Sequence, residues 1–336
     1  KITENKLSKN DLIRDKADKN RTVLKFTMPN VKRGSVIEFS YEVFSDFISM
    51  PDPWYFQSTT APTLWSEYNF AVPQFFIYSI SSRGFLPMDL VENSKKEESF
   101  RVMETRSATS SESIDFKSNV VFNRWVIKNA PQLKEEPFTK SVRNHLSRLD
   151  FQLSAQNYPL AAKSYRSTWQ KIAENMLESE FFGKNLNSNN NWLKDELKPL
   201  LVDENDPLEK AKKIFAFVRD QYKTTSQYAI FMTDNLKSVF KNKKGNVCEL
   251  NLLLTAMLRY ADIEADPVLL STADHGYALE YLPMLTSMNY VVCKVNIGGK
   301  SYFLDASQSM LGFGKLPEYC YNGFSYVISK SPFTID

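Results

Sequence analysis

The hydrophobic pattern of this sequence changes from a period of two to a helical period about half-way along the chain. In "SVIEFSYEV" (residues 35–43), apolar side chains alternate with Glu38, Ser40 and Glu42, which predicts a half-buried β-strand. "TVLKFTMP" and "VVFNRWVIKNAP" predict further strands, and Pro-containing turns lie between the strands. Short strands separated by turns over residues 1–155 predict an antiparallel β-sandwich.

Apolar residues begin to recur at helical spacing in "YRSTWQKIAENMLESEFF", where one apolar stripe predicts an amphipathic helix. The stripe consists of Trp169, Ile172, Ala173, Met176 and Leu177. The Asn-rich stretch "KNLNSNNNW" (residues 184–192) that follows is predicted to be a loop.

The segment "NDPLEKAKKIFAFVRDQYKT" predicts a second helix. Asp206 suits the N-cap, Pro207 suits the first turn, and Glu209 completes a capping pattern. Its predicted buried face consists of Leu208, Ala211, Phe215 and Val218.

A third helix is predicted to begin near Cys248 and to end around residues 260–262, and strands follow it. They are "ADPVLLST", "MNYVVCKVNI" and "KSYFLDAS", of which the last two are joined by Gly298 and Gly299 as a hairpin. Helices followed by strands predict an α+β domain at residues 156–336, after the domain at residues 1–155. Two domains also suit a length of 336 residues.

The composition excludes some partners. The net charge is only +3, from 42 basic and 39 acidic residues, and no basic stripe is interleaved with aromatic residues, so no nucleic-acid partner is predicted. No apolar run reaches the roughly 18–20 residues that cross a bilayer, so no transmembrane segment is predicted. The chain opens on "KITENKLSKND" without an initiator methionine, which leaves a removed export signal or a trimmed chain open.

The three cysteines, Cys248, Cys293 and Cys320, are too few and too unevenly spaced for a disulfide framework. No CxxC pair and no His/Cys cluster has metal-ligand spacing, so neither a metal nor a cofactor is predicted. We expect Cys293 and Cys320 to be buried apolar residues.

Cys248 lies at the start of an apolar helix in "KKGNVCELNLLLTAMLRY". A helix N-terminus lowers the pKa of a thiol, and its unpaired N–H groups can hold an oxyanion. Gly245 allows close approach of the backbone before the helix. A nucleophile of this kind needs a histidine base and an acid that orients the base. The alternative is that Cys248 is an ordinary small core residue.

These motifs resemble a known family. "GNVC" with "ELNLLLTAMLRYADIEADPVLLST" resembles the nucleophile helix and next strand of the transglutaminase-like superfamily, which has the papain-like cysteine protease fold, and "MNYVVCKV" and "YFLDAS" resemble its following strands. "KFTMPNVKRGSVIEFSYEV" and "PWYFQSTTAPTLWSEYNFAVP" resemble the bacterial DUF3857 domain, which often precedes a transglutaminase-like domain. "STWQKIAENMLESEFFGKNL" looks like the connecting helix. The resemblance implies an exported bacterial protein, in the periplasm or at the cell surface.

The resemblance also implies roles for individual residues. Cys248 matches the nucleophile, and Asp305 matches the acid that orients the base. The position of the base, directly after Asn289, holds Tyr290. Tyrosine has a pKa of about 10 and is a poor base at neutral pH. Residues expected to line the oxyanion site or to support the catalytic groups are Gly245, Asn246 and Asn289.

Two functions remain open. In the first, the triad is degenerate, and the protein is a non-catalytic peptide-binding, glycan-binding or structural module of the bacterial cell envelope, with partner proteins unknown. In the second, it is an active cysteine acyl-transferase, peptidase or amidase, with Cys248, Asp305 and a relocated base, His275. His275 lies in the loop "TADHGYALEYLP", where it is either that base or an ordinary exposed histidine. The other histidine, His145, is predicted to be a surface residue.

Overall fold

The computed structural model describes residues 3–8, 11–16, 22–45, 48–49, 51–107, 110–136, 139 and 141–335. The chain divides into two compact units, Lys1–Ile48 and Ser49–Asp336. The predicted boundary between residues 155 and 156 lies inside the second unit, and the division into domains 1–155 and 156–336 stays a prediction.

The first unit contains an antiparallel hairpin of β1 (Leu12–Lys16) and β2 (Thr22–Phe26), which confirms the strand predicted in "TVLKFTMP". The strand predicted over residues 35–43 is wrong, because the segment has no regular structure. Its apolar side chains are exposed, Val36 to 94% and Phe39 to 68%. An alternating pattern forms a stable strand only where a neighbouring strand and a core accept it, and among the described residues none pairs with this segment.

Two antiparallel sheets form the first part of the second unit. Its strands are β3 (Trp54–Tyr55), β4 (Thr63–Pro73), β5 (Phe76–Arg83), β6 (Leu90–Ser107), β7 (Ser110–Ala130), β8 (Arg148–Gln156) and β9 (Lys163–Ser164). One sheet has the order β3-β8-β5 with β9 beside β8, and the other has the order β4-β7-β6. A shared cluster that includes Phe56, Ile127 and Phe151 is buried there. The sandwich predicted over residues 1–155 is not confirmed, because β1 and β2 belong to neither of these sheets.

Six helices follow in the described chain. They are α1 (Trp169–Glu178), α2 (Gly183–Asn187), α3 (Lys194–Leu200), α4 (Pro207–Gln221), α5 (Leu236–Asn242) and α6 (Val247–Tyr260). The predicted stripe of α1 is confirmed, with Leu177 only partly buried. The loop predicted over residues 184–192 is partly wrong, because α2 includes its first residues and buries Leu186.

The start of α4 confirms Asp206 as the N-cap, because its side chain accepts the N–H groups of Leu208 and Glu209. The predicted role of Glu209 in the cap is wrong. The carboxylate that accepts the N–H of Asp206 belongs to Glu204, and Glu209 instead pairs with Lys212 at 2.7 Å. The buried face of α4 includes Ala211, Phe215 and Val218 as predicted, together with Ile214, whereas Leu208 is only partly buried.

The short strands β10 (Lys223–Thr224) and β11 (Lys244–Gly245) form a parallel pair. A five-stranded antiparallel sheet completes the chain. Its strands are β12 (Glu264–Leu270), β13 (Tyr290–Ile297), β14 (Lys300–Leu304), β15 (Ser325–Val327) and β16 (Phe333–Ile335), in the order β14-β13-β12-β15-β16. The predicted hairpin is confirmed, with Gly298 and Gly299 at φ +57° and +76°. Among the described residues, no helix has the length and apolar character that crossing a bilayer requires.

The two faces of β13 belong to different hydrophobic clusters, because successive strand residues point to opposite faces. Val291, Cys293 and Val295 belong to a helix-side cluster, which contains most of the buried residues of α6. Tyr290 and Val292 belong to a far-side cluster. The other buried members of the far-side cluster are Val247, Val268, Leu270, Cys320 and Val327.

Candidate functional site

A reciprocal capping box holds the start of α6. The Asn246 side chain accepts the N–H of Glu249 at 2.9 Å, and Glu249 Oε2 accepts the N–H of Asn246 at 2.7 Å. The other oxygen of Glu249 accepts three hydrogen bonds, from the N–H and hydroxyl of Thr233 and from the N–H of Asp234. The sequence reasoning missed Glu249, although Asn-x-x-Glu before an apolar run is a recognisable helix start.

The predicted oxyanion site lies at this helix start, where most backbone donors already have partners. The N–H of Val247 donates to Ser226 O at 3.0 Å. The N–H groups of Asn246 and Glu249 are bound in the capping box, so three of the four N–H groups that have no acceptor within the helix are engaged. Close packing explains the glycine at position 245, because a Cβ there would lie 2.9 Å from Glu249 Oε2.

Cys248 lies in the second position of α6 and belongs to the helix-side cluster. Its side chain is completely buried. Burial raises the pKa of the Cys248 thiol well above its usual range, and the nearby carboxylate of Glu249 raises it further. Burial acts on this pKa in the direction opposite to that of a helix N-terminus.

Tyr290 and Asp305 are in direct contact, with Tyr290 Oη donating to Asp305 Oδ2 at 2.7 Å. Both side chains are completely buried. Burial, and then the negative charge of Asp305, raise the pKa of the Tyr290 phenol far above its usual range. The phenol therefore stays protonated and acts as a hydrogen-bond donor. The expected positions of base and orienting acid are thus brought together by the fold.

The second oxygen of Asp305 is also fully engaged. Asp305 Oδ1 accepts the Asn251 side chain at 3.0 Å, the Ser307 N–H at 3.0 Å and the Ser307 hydroxyl at 2.6 Å. Tyr319 Oη lies 3.3 Å from Tyr290 Oη. Within the described residues, no histidine and no cation lies in this network.

Asn251, which the sequence reasoning missed, connects α6 to the strands. Its Nδ2 donates to Val291 O at 2.9 Å as well as to Asp305, and its Oδ1 accepts the N–H of Ala306 at 2.9 Å. The sequence signal is a polar residue inside the apolar run "ELNLLLTAML", since a buried amide needs partners. Asn251 therefore fixes the position of Asp305 relative to the helix.

Comparison with known families gives a match in this part of the chain. Residues 197–302 match the family model of the transglutaminase-like superfamily, and this range includes α6, β12 and β13. The chain contains a transglutaminase-like domain. A comparison with curated proteins gives no match.

Two solved structures are similar to the present chain. One is a "putative protease" from Parabacteroides distasonis ATCC 8503, with 15% identity and a TM-score of 0.52, and the match covers 87% of this chain and 48% of that chain. The present chain thus spans about half the length of that protein, and the likeness is one of fold. The other is a "putative cysteine protease" from Cytophaga hutchinsonii, with 11% identity, a TM-score of 0.28 and coverage of 81% and 90%.

The transglutaminase-like domain places Cys248 and Tyr290 in different clusters. Cys248 belongs to the helix-side cluster, whereas Tyr290 belongs to the far-side cluster together with Val247. The α6 residue in the cluster of Tyr290 is Val247, one position before the cysteine. Valine has no group that can act as a nucleophile.

His275 lies in the loop after β12 and is exposed. Its ring Nε2 lies 2.9 Å from Thr286 O. Within the described chain, no hydrogen bond joins His275 to Cys248 or Asp305. His145, predicted at the surface, is half-buried, and its ring stacks on Phe85 with centroids 5.9 Å apart.

Asn289 supports the loop after β12. Its Oδ1 accepts the N–H of Thr272 at 2.9 Å, and its Nδ2 donates to the Thr272 hydroxyl at 2.7 Å. Cys293 and Cys320 are free and buried, as predicted. Nowhere in the described part of the chain do three or more His, Cys, Asp or Glu side chains gather as a metal ion requires.

Proposed function

We propose that the transglutaminase-like domain is non-catalytic and serves as a peptide- or glycan-binding module of the bacterial cell envelope. The observation that carries this proposal is the buried hydrogen bond from Tyr290 to Asp305. A base in a cysteine triad must remove a proton from the thiol. A phenol whose pKa is raised by burial and by Asp305 keeps its proton and cannot do so.

The thiol supports the same conclusion. Cys248 is buried in the helix-side cluster, and its raised pKa keeps it protonated at neutral pH. Val247, and not Cys248, is the α6 residue in the cluster of Tyr290. The envelope location rests on the resemblance of the first half to the DUF3857 domain.

We expect Cys248 to resist alkylation in the folded protein. Iodoacetamide attacks the thiolate, and a buried, protonated thiol offers neither access nor thiolate. With native protein at pH 6–7, mass spectrometry should find Cys248 unlabelled over hours, and it should find full labelling after denaturation.

Cys293 is the matched control, because it is also completely buried and its pKa is raised to about 12 by burial. The two cysteines should label at the same slow rate. If Cys248 labels rapidly at pH 6 while Cys293 does not, the non-catalytic proposal fails. The active enzyme with Cys248, His275 and Asp305 would then be favoured.

The surface above Tyr290 supports ligand binding. The Tyr228 side chain is 44% exposed, and its ring lies edge-on to the Tyr290 ring with centroids 6.4 Å apart. The ring centroid of Tyr319 lies 5.8 Å from that of Tyr290. Tyr228 Oη donates to Asp274 at 2.8 Å, and this hydrogen bond raises the pKa of Tyr228 to about 12. An exposed ring can stack on a sugar or a peptide, and the carboxylate beside the ring can accept hydrogen bonds from that ligand.

Replacing Tyr228 with alanine should weaken ligand binding by roughly tenfold, the loss typical of one exposed aromatic contact. Binding of chito-oligosaccharides and of short alanine-rich peptides can be measured by calorimetry. The matched control is Tyr281→Ala, because Tyr281 is 79% exposed and lies in the loop between β12 and β13. Equal affinities for the unmodified protein and Tyr228→Ala would contradict this binding surface.

A further inference from the structure

Two arginines face each other across the β5–β8 strand pair. Arg83 of β5 and Arg148 of β8 are register partners in this antiparallel pair. Like charges directly opposite each other on a sheet are unfavourable. A carboxylate lies between the two guanidinium groups, that of Asp150 on β8.

The carboxylate is shared by both arginines. Arg83 Nε lies 2.8 Å from Asp150 Oδ2, and Arg148 Nε lies 3.2 Å from both oxygens of Asp150. The side chains of Arg83, Arg148 and Asp150 are 13%, 9% and 9% exposed. The group is therefore largely removed from water.

The remaining partners of the two guanidiniums are neutral. Arg83 Nη1 donates to Tyr277 O at 2.9 Å, and Arg148 Nη1 donates to Tyr55 Oη at 3.2 Å. The Arg148 guanidinium also lies over the Tyr55 ring, 5.5 Å from its centroid. Among the described residues, Asp150 is the one carboxylate that forms an ion pair with either arginine.

Two positive charges against one negative charge leave one positive charge without a counter-ion. A buried charge without a partner is unfavourable, because its hydration is lost. A guanidinium does not escape this cost by losing its proton, since its pKa exceeds about 12. Burial lowers the pKa of Arg83, which is the sign of a cation that is incompletely compensated.

We propose that Arg83 and Arg148 form a binding site for a second oxyanion, a carboxylate or phosphate group carried by a ligand. Arginine presents planar donor pairs that match both groups. Tyr55, 38% exposed, lies beside the guanidiniums and offers an aromatic surface to the rest of the ligand. This site lies on β5 and β8 and does not depend on the non-catalytic proposal.

Anion-specific stabilisation tests the site. The melting temperature of the whole chain is measured in sodium phosphate, sodium acetate and sodium chloride at equal ionic strength and pH. We expect phosphate, acetate or both to raise the melting temperature by about 2–4 °C over chloride, because a ligand that binds the folded state stabilises it. A rise with acetate alone indicates a carboxylate ligand, and one with phosphate alone indicates a phosphate ligand.

Arginine variants locate the effect. Arg83→Gln and Arg148→Gln should abolish the rise, and Asp150→Asn should enlarge it by removing the competing carboxylate. The matched control is Arg124→Gln, because Arg124 lies between two carboxylates, those of Glu67 and Glu92, at 2.9 and 3.0 Å. Absence of any rise over chloride in the unmodified protein, or an equal rise in Arg148→Gln, would overturn the proposal. Should Arg148→Gln fail to fold, the rise in melting temperature is compared between Asp150→Asn and Arg124→Gln. A rise in Asp150→Asn that is no larger than in Arg124→Gln would then overturn the proposal.

Discussion

Replacing Asp305 with alanine is expected to lower the free energy of unfolding by about 3–5 kcal/mol. The substitution removes the carboxylate that accepts hydrogen bonds from the Tyr290 hydroxyl, the Asn251 amide and the Ser307 N–H. Each buried donor that loses its partner costs roughly 1–3 kcal/mol. Urea unfolding followed by circular dichroism measures the change.

Two further variants distinguish the effect of losing this hydrogen-bond network from the effect of losing a carboxylate alone. Asp305→Asn keeps one acceptor oxygen and should cost less than alanine. Asp195→Ala, at an exposed aspartate in the first turn of α3, should change stability by less than about 1 kcal/mol. If Asp305→Ala is as stable as the unmodified protein, the Tyr290–Asp305 network does not hold this part of the fold.

Converting two positions should produce a thiol with a lowered pKa. Val247→Cys with Tyr290→His, in a Cys248→Ala background, places a thiol and an imidazole in the far-side cluster, with Asp305 beside the ring position. A neighbouring imidazolium and a helix N-terminus both lower a thiol pKa. At pH 6 this thiol should hold a larger fraction of thiolate than Cys248 of the unmodified protein, because the imidazolium stabilises the thiolate. The ultraviolet absorbance of the thiolate, followed over a pH titration, measures this fraction without a reagent having to enter the buried site.

Tyr290→His alone is the decisive control. If Val247 marks the side of α6 that faces the base position, the single variant leaves Cys248 unreactive. If Cys248 becomes reactive in the single variant, the resemblance-based assignment of Cys248 as nucleophile is supported instead. Circular dichroism of each variant checks that α6 and the sheet are retained.

Local patterns predicted three of the six described helices, α1, α4 and α6, and three strands of the C-terminal sheet, β12, β13 and β14. The stripe of α1, the Asp206 N-cap and the Gly298–Gly299 hairpin depend on neighbouring residues alone, so they can be recognised without the fold. The pattern over residues 35–43 is just as regular and yet forms no strand. A strand needs a neighbouring strand as well as an alternating pattern. The neighbouring strand depends on the fold and not on the adjacent residues alone.

The residues of the site could be named from the sequence, but their relations could not. The sequence by itself determined that a tyrosine stands where a histidine was expected, and that an aspartate follows it fifteen residues later. Tertiary structure alone decided that the β13–β14 hairpin brings Tyr290 to Asp305, that Asn251 reaches both strands, and that Cys248 belongs to the opposite cluster. The physical reason is that one residue of shift along a helix or strand turns a side chain toward a different face, and only packing selects the face.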